Sequence, residues 1–375
     1  MIGSPCGASP DKPRPASLAT PHGALRLPAF LPDATRAVIR CLDADDLRAC
    51  GVQGLVVNTF HLTTHPGVTV VSALGGVHSF MGWSGPVLSD SGGFQVYSLL
   101  SGSRKQGSVT RRGFTYRVAP GAGKKVLTPE KCIRAQFQLG ADVIVCLDHC
   151  VPLDAPPEQQ REALENTVLW AGACGSEFER LAEQTGRRPL LFAVVQGGKD
   201  QALRRECAER LVEIGFDGYG YGGWPVDKEG RLLDVVGAVA EMIPAHALRW
   251  ALGIGKPEHV VRSVACGYDL FDCVIPTRDA RHGRLYAFTG PPGLTDLDAD
   301  GFYECVYPLD RKHVRDPAPV DATCDCPCCG RYSRAYLHHL FRIRDPLGFR
   351  VATVHNLRFY ARLMELLRAD AAERR

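Results

Sequence analysis

The middle of the chain repeats one pattern of hydrophobic and polar positions. A short apolar run, rich in β-branched and aromatic residues, is followed by a polar or glycine-rich turn and then by a segment with apolar residues at helical spacing. Several of the runs are apolar on both faces, which is typical of parallel strands covered from two sides. Eight of these runs predict β-strands, at residues 28–33, 54–60, 86–90, 142–148, 190–196, 218–223, 249–255 and 270–275.

Helical spacing between these runs predicts α-helices. Thr128 followed by Pro129 is a typical helix start, and Leu164 and Leu203 each begin an apolar stripe at helical spacing. Eight strands that alternate with helices over roughly 250 residues predict an α/β protein with a TIM (β/α)8 barrel. We expect this barrel to span residues 21–307.

Two segments interrupt the pattern. Residues 91–129 contain no Asp or Glu but seven Lys or Arg, and the alternating run GFTYRV within them predicts a basic hairpin insertion. Residues 308–375 contain a cluster of cysteines, an Arg- and His-rich helix that begins near Ser333, and a last amphipathic helix over 351–368. We therefore expect a separate C-terminal module after the barrel.

Composition narrows the class of protein. Of the 375 residues, 45% are hydrophobic and 23% are charged, which excludes a disordered chain and a small disulfide-stapled domain. The first twenty residues include four prolines and lack the apolar core of ~7–15 residues that a signal peptide needs, so we predict a disordered segment at 1–20. No stretch approaches the ~18 apolar residues of a membrane span, and we expect a cytoplasmic protein with no membrane partner. A net charge of +3 is too small to indicate a nucleic-acid partner by itself.

The cysteines indicate a metal site. The chain has fifteen, and four of them lie within residues 324–329. Cys324, Cys326 and Cys329, together with His355, supply three thiolates and an imidazole, which is the ligand set of a closed, structural Zn²⁺ site. Cys328 is an alternative ligand, although two adjacent cysteines could not easily bind one ion together. Unligated buried thiols and an iron–sulfur cluster are the other interpretations.

Polar residues stand where the predicted strands end. In a βα barrel, catalytic groups occupy the carboxyl ends of the strands and the loops that follow. An Asp after a strand is often only a helix cap or a turn residue, but Asp272 is embedded in an apolar run and fits that interpretation least. A pair of carboxylates in an enclosed site suits chemistry at an acetal-like carbon, which leaves glycosidases, nucleosidases and base-exchange enzymes open. The strand-end residues are Asn58, Asp90, Ser91, Asp148, Gln196, Gly223 and Asp272.

Seven sequence motifs occur in a fixed order along the chain. They are NTFHL at 58–62, SDSGGFQV at 89–96, VQGG at 195–198, FDCVIPTR at 271–278, CxCxxC at 324–329, SRAYLHHL at 333–340 and HN at 355–356. Together they resemble the motifs of the tRNA-guanine transglycosylases, also called queuine tRNA-ribosyltransferases, over residues 22–367. The resemblance implies a homodimeric enzyme that exchanges the guanine at the anticodon wobble position of tRNA for a 7-deazaguanine base.

The resemblance also implies roles for individual residues. Asp272 would attack the ribose and form a covalent ribosyl-aspartate, and Asp90 would deprotonate the incoming base. Asp148, Gln196 and the Gly223 backbone would hold the guanine-like edge, and Phe94 would stack on the ring. The other expected substrate contacts are Ser91, Asn58, Trp224 and Cys150.

Contacts with tRNA and with a second subunit follow from the same resemblance. Arg278 and Arg281 match the Pro-Thr-Arg-x-x-Arg pattern of the family and would contact tRNA, and Lys256 and Arg284 would extend the basic surface. Aromatic and histidine residues at the family's subunit contact correspond to Tyr332, Tyr336 and His339, although helical spacing alone would assign them to ordinary packing.

The chain departs from the family pattern near the base. The loop at 222–228 reads GGWPVDK, and His149 stands where a glutamate is commoner, so both 7-aminomethyl-7-deazaguanine and queuine remain open as the incoming base. Three rival functions also remain. They are a nucleosidase-type hydrolase, a non-catalytic partner subunit, and a DNA-acting enzyme that inserts a 7-deazaguanine.

Overall fold

The computed structural model of the chain describes residues 15–102, 107–119, 121–291, 295–297 and 301–373. Among these residues, no helix combines the length and the apolar composition needed to cross a membrane. The strands, in chain order, are β1 (Ser17–Thr20), β2 (Gly23–Arg26), β3 (Ala29–Pro32), β4 (Leu55–Asn58), β5 (Val87–Asp90), β6 (Gly107–Thr110), β7 (Gly113–Tyr116), β8 (Lys125–Leu127), β9 (Val143–Val145), β10 (Leu190–Val195), β11 (Gly218–Tyr221), β12 (Leu248–Ala251), β13 (Leu270–Cys273), β14 (Leu285–Phe288) and β15 (Tyr303–Val306).

Eight parallel strands form the predicted barrel. Their order around the sheet is β3-β13-β12-β11-β10-β9-β5-β4. An isolated parallel bridge between Asp33 and Val56 links the two ends of the sheet, and the amide of Ala34 donates to the carbonyl of Val56 at 2.7 Å. The α/β barrel predicted from the repeated pattern is therefore confirmed.

Alternation along the barrel strands separates an apolar interior from a polar rim. Side chains two residues apart on a strand point to the same side of the sheet. The last inward-facing apolar residue of a strand is therefore followed, two positions later, by a residue at the carboxyl end of the barrel, so that Asn58, Asp90 and Asp272 stand above Val56, Leu88 and Leu270. The buried interior cluster includes Ala29, Leu31, Val56, Leu88, Val143, Val145, Phe192, Val194, Leu248, Trp250 and Leu270.

Helices surround the barrel. α6 begins as the sequence predicts, with the Thr128 hydroxyl accepting from the amide of Lys131 and Pro129 in the first turn, and it ends at Gly140, whose φ is +77°. The helices are α1 (Ala44–Ala49), α2 (Thr59–Thr64), α3 (Val68–Ala73), α4 (Gly76–Met81), α5 (Gly93–Gly102), α6 (Pro129–Leu139), α7 (Pro157–Thr185), α8 (Gln201–Ile214), α9 (Val235–Met242), α10 (Pro257–Ala265), α11 (Ile275–Arg281), α12 (Arg334–Arg342) and α13 (Pro346–Glu373).

Most of the barrel strands end earlier than the apolar runs that predicted them, and in two of them the local sequence shows why. The seventh barrel strand, β12, ends at Ala251, because Gly253 with a φ of +74° turns the chain. The eighth, β13, ends at Cys273, and Ile275 with Pro276 in the next position begins α11. Apolar side chains continue past both ends because the following turns are also packed against the barrel.

The N-terminal segment differs in part from the prediction. Residues 1–14 lie outside the described residues. Ser17–Thr20, however, is strand β1, which pairs with β2 in an antiparallel hairpin. Leu18 and Leu25 of this hairpin are buried in the same cluster as the barrel interior, so residues 17–20 belong to the folded part of the chain.

The basic segment at 91–129 is more than a hairpin. It begins with α5 and continues as a three-stranded antiparallel sheet, β6-β7-β8. Trp170 of α7 donates to the carbonyl of Arg111 at 2.8 Å, which attaches the sheet to the outer helices. Residues 103–106 and 120 of the segment lie outside the described residues.

The C-terminal segment packs against the eighth strand and its loop. The hairpin β14–β15, which the sequence pattern did not predict, follows α11. A short 3-10 helix (Arg311–His313) and α12 precede the long helix α13. Asn356 of α13 accepts from the amide of Tyr286 and donates to the carbonyls of Pro276 and Arg284, so one side chain joins α13, β14 and α11.

Candidate active site and metal centre

The carboxyl ends of the barrel strands enclose a cavity of about 500 Å³. Gln196 is the one predicted substrate-binding residue that does not line this cavity, and its side-chain amide contacts the lining residue Asp148. The structure brings together the other nine predicted catalytic and substrate-binding residues in the wall of this cavity, namely Asn58, Asp90, Ser91, Phe94, Asp148, Cys150, Gly223, Trp224 and Asp272.

Asp272 lies on β13 with one carboxylate oxygen free. Its Oδ1 accepts from the Trp250 indole at 2.8 Å and from the amide of Gly253 at 3.1 Å, and no group among the described residues donates to Oδ2. Burial raises the pKa of Asp272 to about 6, and the two hydrogen bonds act in the opposite direction. The fixed oxygen orients the carboxylate, and the free one is available to a reacting atom.

Asp90 ends β5 and has the highest pKa of the three predicted carboxyl groups. Asn58 donates to its Oδ2 at 2.7 Å, and the amide of Gly92 donates to its Oδ1 at 2.6 Å. The net pKa of Asp90 is about 7. Burial and the nearby Asp272 and Asp148 carboxylates raise it, and the Gly92 hydrogen bond acts in the opposite direction. A carboxyl group with this pKa exchanges protons readily near neutral pH.

Asp148 and Gln196 form a polar edge on the opposite strands. The Gln196 amide donates to Asp148 Oδ2 at 2.7 Å, and the Ser91 hydroxyl lies 3.4 Å from Oδ1. Burial raises the pKa of Asp148 to about 6. The neighbouring Gly222 has no room for a side chain, because a Cβ there would lie 2.3 Å from the Gln196 amide nitrogen. This edge offers donors and acceptors, which suit the polar edge of a purine-like ring.

Two aromatic rings meet at the rim of the cavity. Phe94, at the start of α5, contacts Trp224 edge to face with ring centroids 5.5 Å apart. The Tyr221 hydroxyl donates to the carbonyl of Trp224 and holds the loop after β11 in place. Because 45% of Phe94 is exposed, its ring is available to stack on a bound molecule.

Sequence reasoning missed a fourth carboxylate in the cavity wall. Asp33 follows β3 and lines the cavity together with Thr35 and His61. Burial raises its pKa well above the ordinary value, and Asp272 and Asp90 raise it further. The sequence does place Asp33 at the end of the first predicted strand, where catalytic residues of a barrel stand. Nothing in the local sequence, however, distinguishes it from a turn residue.

The predicted metal ligands form one cluster. The coordinating atoms of Cys324, Cys326, Cys329 and His355 lie within 4.8 Å of one another, and Cys328 is not part of the group. His355 Nδ1 is 3.3 Å from Cys329 Sγ and 3.6 Å from Cys326 Sγ. A tetrahedral ion at ordinary Zn–S and Zn–N distances separates such ligands by about 3.6 Å. The four residues therefore fit a closed metal site.

A second contact holds the histidine ligand in place. His355 Nε2 bonds to the carbonyl of Tyr286 on β14 at 2.7 Å. This contact orients the ring, as carbonyl partners of metal-binding histidines generally do. The four-ligand site has no open position for a reacting water, so its role is to join the cysteine loop to α13.

Comparison with known proteins identifies the family. The family model described as queuine tRNA-ribosyltransferase matches residues 10–375. The chain belongs to this family. Its members are pentosyltransferases, so the resemblance seen in the sequence motifs and the expected tRNA-guanine transglycosylase class are confirmed, and the hydrolase and DNA-acting alternatives are not favoured.

Curated relatives of the queuine tRNA-ribosyltransferase family align over nearly the whole chain. The queuine tRNA-ribosyltransferase of Solidesulfovibrio magneticus is 38% identical over 98% of this chain and 93% of its own length. That of Novosphingobium aromaticivorans is 37% identical, with coverage of 98% and 94%. That of Desulfosudis oleivorans is 40% identical, with coverage of 97% and 90%.

The predicted tRNA-binding arginines lie at the cavity side of the barrel. Arg278 and Arg281 are on α11, directly after β13. Burial lowers the pKa of Arg281, and the nearby Arg40 lowers it further. Arg40 and Arg36 follow β3, were not predicted, and extend the positive charge.

The two other predicted basic contacts have partners within the chain. Lys256 donates to the carbonyl of Gly230 at 3.1 Å, and Arg284 contacts Cys305 and Asp279. A second cavity of about 400 Å³ shares Ser91 with the first and is lined by three lysines, Lys124, Lys125 and Lys131. Positive charge therefore lies on two sides of the catalytic cavity.

His149 does not face the cavity. It is buried beside Trp170, with ring centroids 5.7 Å apart, and its Nδ1 lies 3.2 Å from the Asn166 amide. Burial lowers the pKa of His149 to about 4, so the ring is neutral at pH 7. A histidine at position 149, where the family commonly has glutamate, therefore affects the packing behind the cavity wall.

Proposed function

We propose that this enzyme exchanges the wobble guanine of a tRNA anticodon for a 7-deazaguanine base through a covalent ribosyl-aspartate on Asp272. The observation that carries the proposal is the free Oδ2 of Asp272, which shares a cavity with Asp90, a carboxyl group that titrates near neutral pH. Family membership supports the same reaction class.

The first displacement would use both carboxyl groups. Asp272 Oδ2 attacks C1′ of the ribose, the C1′–N9 bond breaks, and its electron pair leaves with guanine. Asp90 in its protonated form supplies the proton that the departing base takes up. The product is a ribosyl ester of Asp272 with inverted configuration at C1′.

The second displacement would reverse these roles. Asp90, now ionised, accepts the proton from N9 of the 7-deazaguanine, and N9 attacks C1′ as the ester bond to Asp272 breaks. Two inversions retain the original configuration. The proton returns to Asp90, so the cycle consumes no water and needs no nucleotide cofactor.

Other residues of the cavity would bind the base. Asp148, Gln196 and the backbone of Gly223 hold the guanine-like edge, while Phe94 stacks on the ring. Ser91 and Asn58 act through the carboxylates that they contact, and Cys150 and Trp224 border the ring substituent. The Phe94–Trp224 pair limits entry of water, which favours exchange over hydrolysis of the ester.

The remaining expectations belong to the same proposal. The Cys3His cluster would bind Zn²⁺, which in this ligand set supplies structural support and no chemistry. Arg278, Arg281, Lys256 and Arg284 would contact the anticodon loop, and a tRNA substrate favours the cytoplasm. The exposed face of α12, where Tyr332 and Tyr336 stack and His339 adjoins them, would form the contact of a homodimer.

The test combines a trapped adduct with base release. Native enzyme mixed with tRNA should give a denaturant-resistant protein–RNA adduct, Asp272→Asn should give none, and Asp154→Asn, outside the cavity, should match the native enzyme. With radiolabelled guanine at the wobble position, label release beyond one equivalent of enzyme should require added 7-aminomethyl-7-deazaguanine or queuine, and the base with the higher kcat/KM is the substrate. Multiple-turnover release that is independent of added base would instead establish a hydrolase.

A further inference from the structure

The carboxyl group of Asp33 has no role in the two displacements. It stands on the same alternation as Ala29 and Leu31, whose side chains fill the barrel interior, so it points into the cavity from the carboxyl end of β3. The cavity wall thus contains four carboxyl groups, of which the exchange reaction uses three.

Asp33 differs from the other three in its surroundings. Asp90, Asp148 and Asp272 each accept two hydrogen bonds from the protein. In contrast, nothing in the described parts of the chain donates a hydrogen bond to the side chain of Asp33 or forms an ion pair with it. The Asp33 side chain is half-buried and lines the cavity, so its carboxyl group is available to form a hydrogen bond with a bound molecule.

The strand register places Asp33 beside the nucleophile. Leu31 is level with Asp272 in the parallel pairing of β3 and β13. Asp33 is two residues further along β3, so its Cα is about 8 Å from that of Asp272, given a rise of ~3.3 Å per residue and a strand spacing of ~4.8 Å. Two carboxylates at this separation can contact neighbouring atoms of one sugar ring.

The chemistry of a nucleotide inside an RNA chain limits what Asp33 can meet there. Asp272 must lie within about 3–3.5 Å of C1′ to attack it. The 3′ and 5′ oxygens of an internal nucleotide are esterified to phosphate, so the 2′-hydroxyl is the one free hydroxyl of the ribose. It is attached to C2′, the carbon next to the attacked atom, and it can donate to a carboxylate or accept from a carboxylic acid.

We propose that Asp33 binds the 2′-hydroxyl of the target ribose and makes the site selective for RNA over DNA. This inference rests on the proposed exchange reaction, because it requires a nucleotide at Asp272. Asp33 acts as a specificity residue, since it contacts the sugar but forms no bond to C1′ and moves no proton of the base.

The test crosses protein variants with substrate variants. An anticodon stem-loop RNA is prepared with ribose, 2′-deoxyribose or 2′-fluororibose at the wobble guanosine alone, and kcat/KM for incorporation of a 7-deazaguanine is measured for each. Native enzyme should prefer ribose by roughly tenfold to hundredfold, the range expected for a hydrogen bond to a charged group. In Asp33→Ala the ratio should fall to near one, and in Asp33→Asn, which keeps an acceptor oxygen, it should be intermediate. Asp154→Asn should keep the native ratio.

The results separate this proposal from the exchange reaction itself. An unchanged ribose-to-deoxyribose ratio in Asp33→Ala overturns the role of Asp33, even if both rates fall, because an equal loss means a structural effect. A native enzyme that uses both sugars equally well also overturns it, while the exchange reaction stands. Absence of incorporation by native enzyme into the all-ribose RNA contradicts the exchange reaction and this proposal together.

Discussion

Burial raises the pKa of all three predicted carboxyl groups, and neighbouring negative charge makes Asp90 differ from the other two. The pKa is raised to about 7 for Asp90 and to about 6 for Asp272, since low-dielectric surroundings disfavour the charged form. Asp272 receives donors from a buried indole and a backbone amide, and Asp90 lies nearer to other negative charge. Two carboxyl groups with separated pKa values suit a nucleophile and a proton carrier.

These pKa values predict different pH dependences for the two steps. Adduct formation needs ionised Asp272 and protonated Asp90, so its single-turnover rate should fall about tenfold per pH unit below about 6 and fall again above about 7. Attack of the incoming base on the preformed adduct needs ionised Asp90, so its rate should fall from about pH 7 downward. Rates measured from pH 4.5 to 8.5 in native enzyme and in Asp90→Asn check this. A shared midpoint for both steps, unchanged in Asp90→Asn, would contradict the assignment.

At the scale of elements, α13 joins the metal cluster to the catalytic end of the barrel. His355 belongs to the metal cluster, Asn356 contacts α11 and β14, and the Tyr360 hydroxyl donates to the carbonyl of Gly255 in the loop after β12. The helix thereby supports the loops that follow β12 and β13, next to Asp272 and its two donors, Trp250 and Gly253.

The cluster predicts a contrast between two buried cysteines. Cys326→Ser should lose the bound metal and destabilise the fold by about 3 kcal/mol or more, which lowers Tm by roughly 4 °C or more for a chain of this size. Cys328→Ser is the matched control, because Cys328 is equally buried but lies outside the ligand group. Metal content by mass spectrometry and thermal melting would be measured for both. Full metal content in Cys326→Ser would show that the ligand set is wrong.

The elements show how far the sequence alone could go. The repeated apolar runs predicted all eight barrel strands, and with them the convergence of Asp90, Asp148 and Asp272, because the carboxyl ends of parallel barrel strands meet at one rim. It missed β14 and β15, whose apolar residues pack against α13 at long sequence separation. Asp33 was missed for a related reason, since its lack of a partner and its proximity to two carboxylates are properties of the assembled cavity.

At the scale of the whole molecule, the net charge of +3 conceals a positive surface at the cavity side. Arg36 and Arg40 follow β3, and Arg278 and Arg281 follow β13. Mutual repulsion contributes to the lowered pKa of Arg281, and an anion placed between these groups relieves it. The phosphates of an anticodon loop supply such anions.

This surface predicts a salt dependence of tRNA binding. Arg281→Ala should weaken binding by about tenfold at 0.1 M salt and lower the slope of log K against log salt by about 0.7–0.9. Arg188→Ala is the control, because Arg188 precedes β10 at the opposite end of the barrel and pairs with Glu179. Binding titrations across salt concentrations test both variants. An unchanged slope in Arg281→Ala would remove Arg281 from the tRNA contact.

Because several carboxyl groups lie together above the barrel interior, the pH range in which the enzyme is active differs from the range in which the fold is most stable. A carboxyl group whose pKa is raised by folding contributes stability that is fully present below its ordinary value near 3.8 and is lost as the pH rises through its folded value. For Asp272 and Asp90 that loss occurs through about 6 and 7, the same interval in which they become competent for exchange. The proposed exchange therefore requires a pH at which the ionised carboxyl groups of the cavity destabilise the folded state. A bound nucleotide would restore part of the stability that ionisation removes.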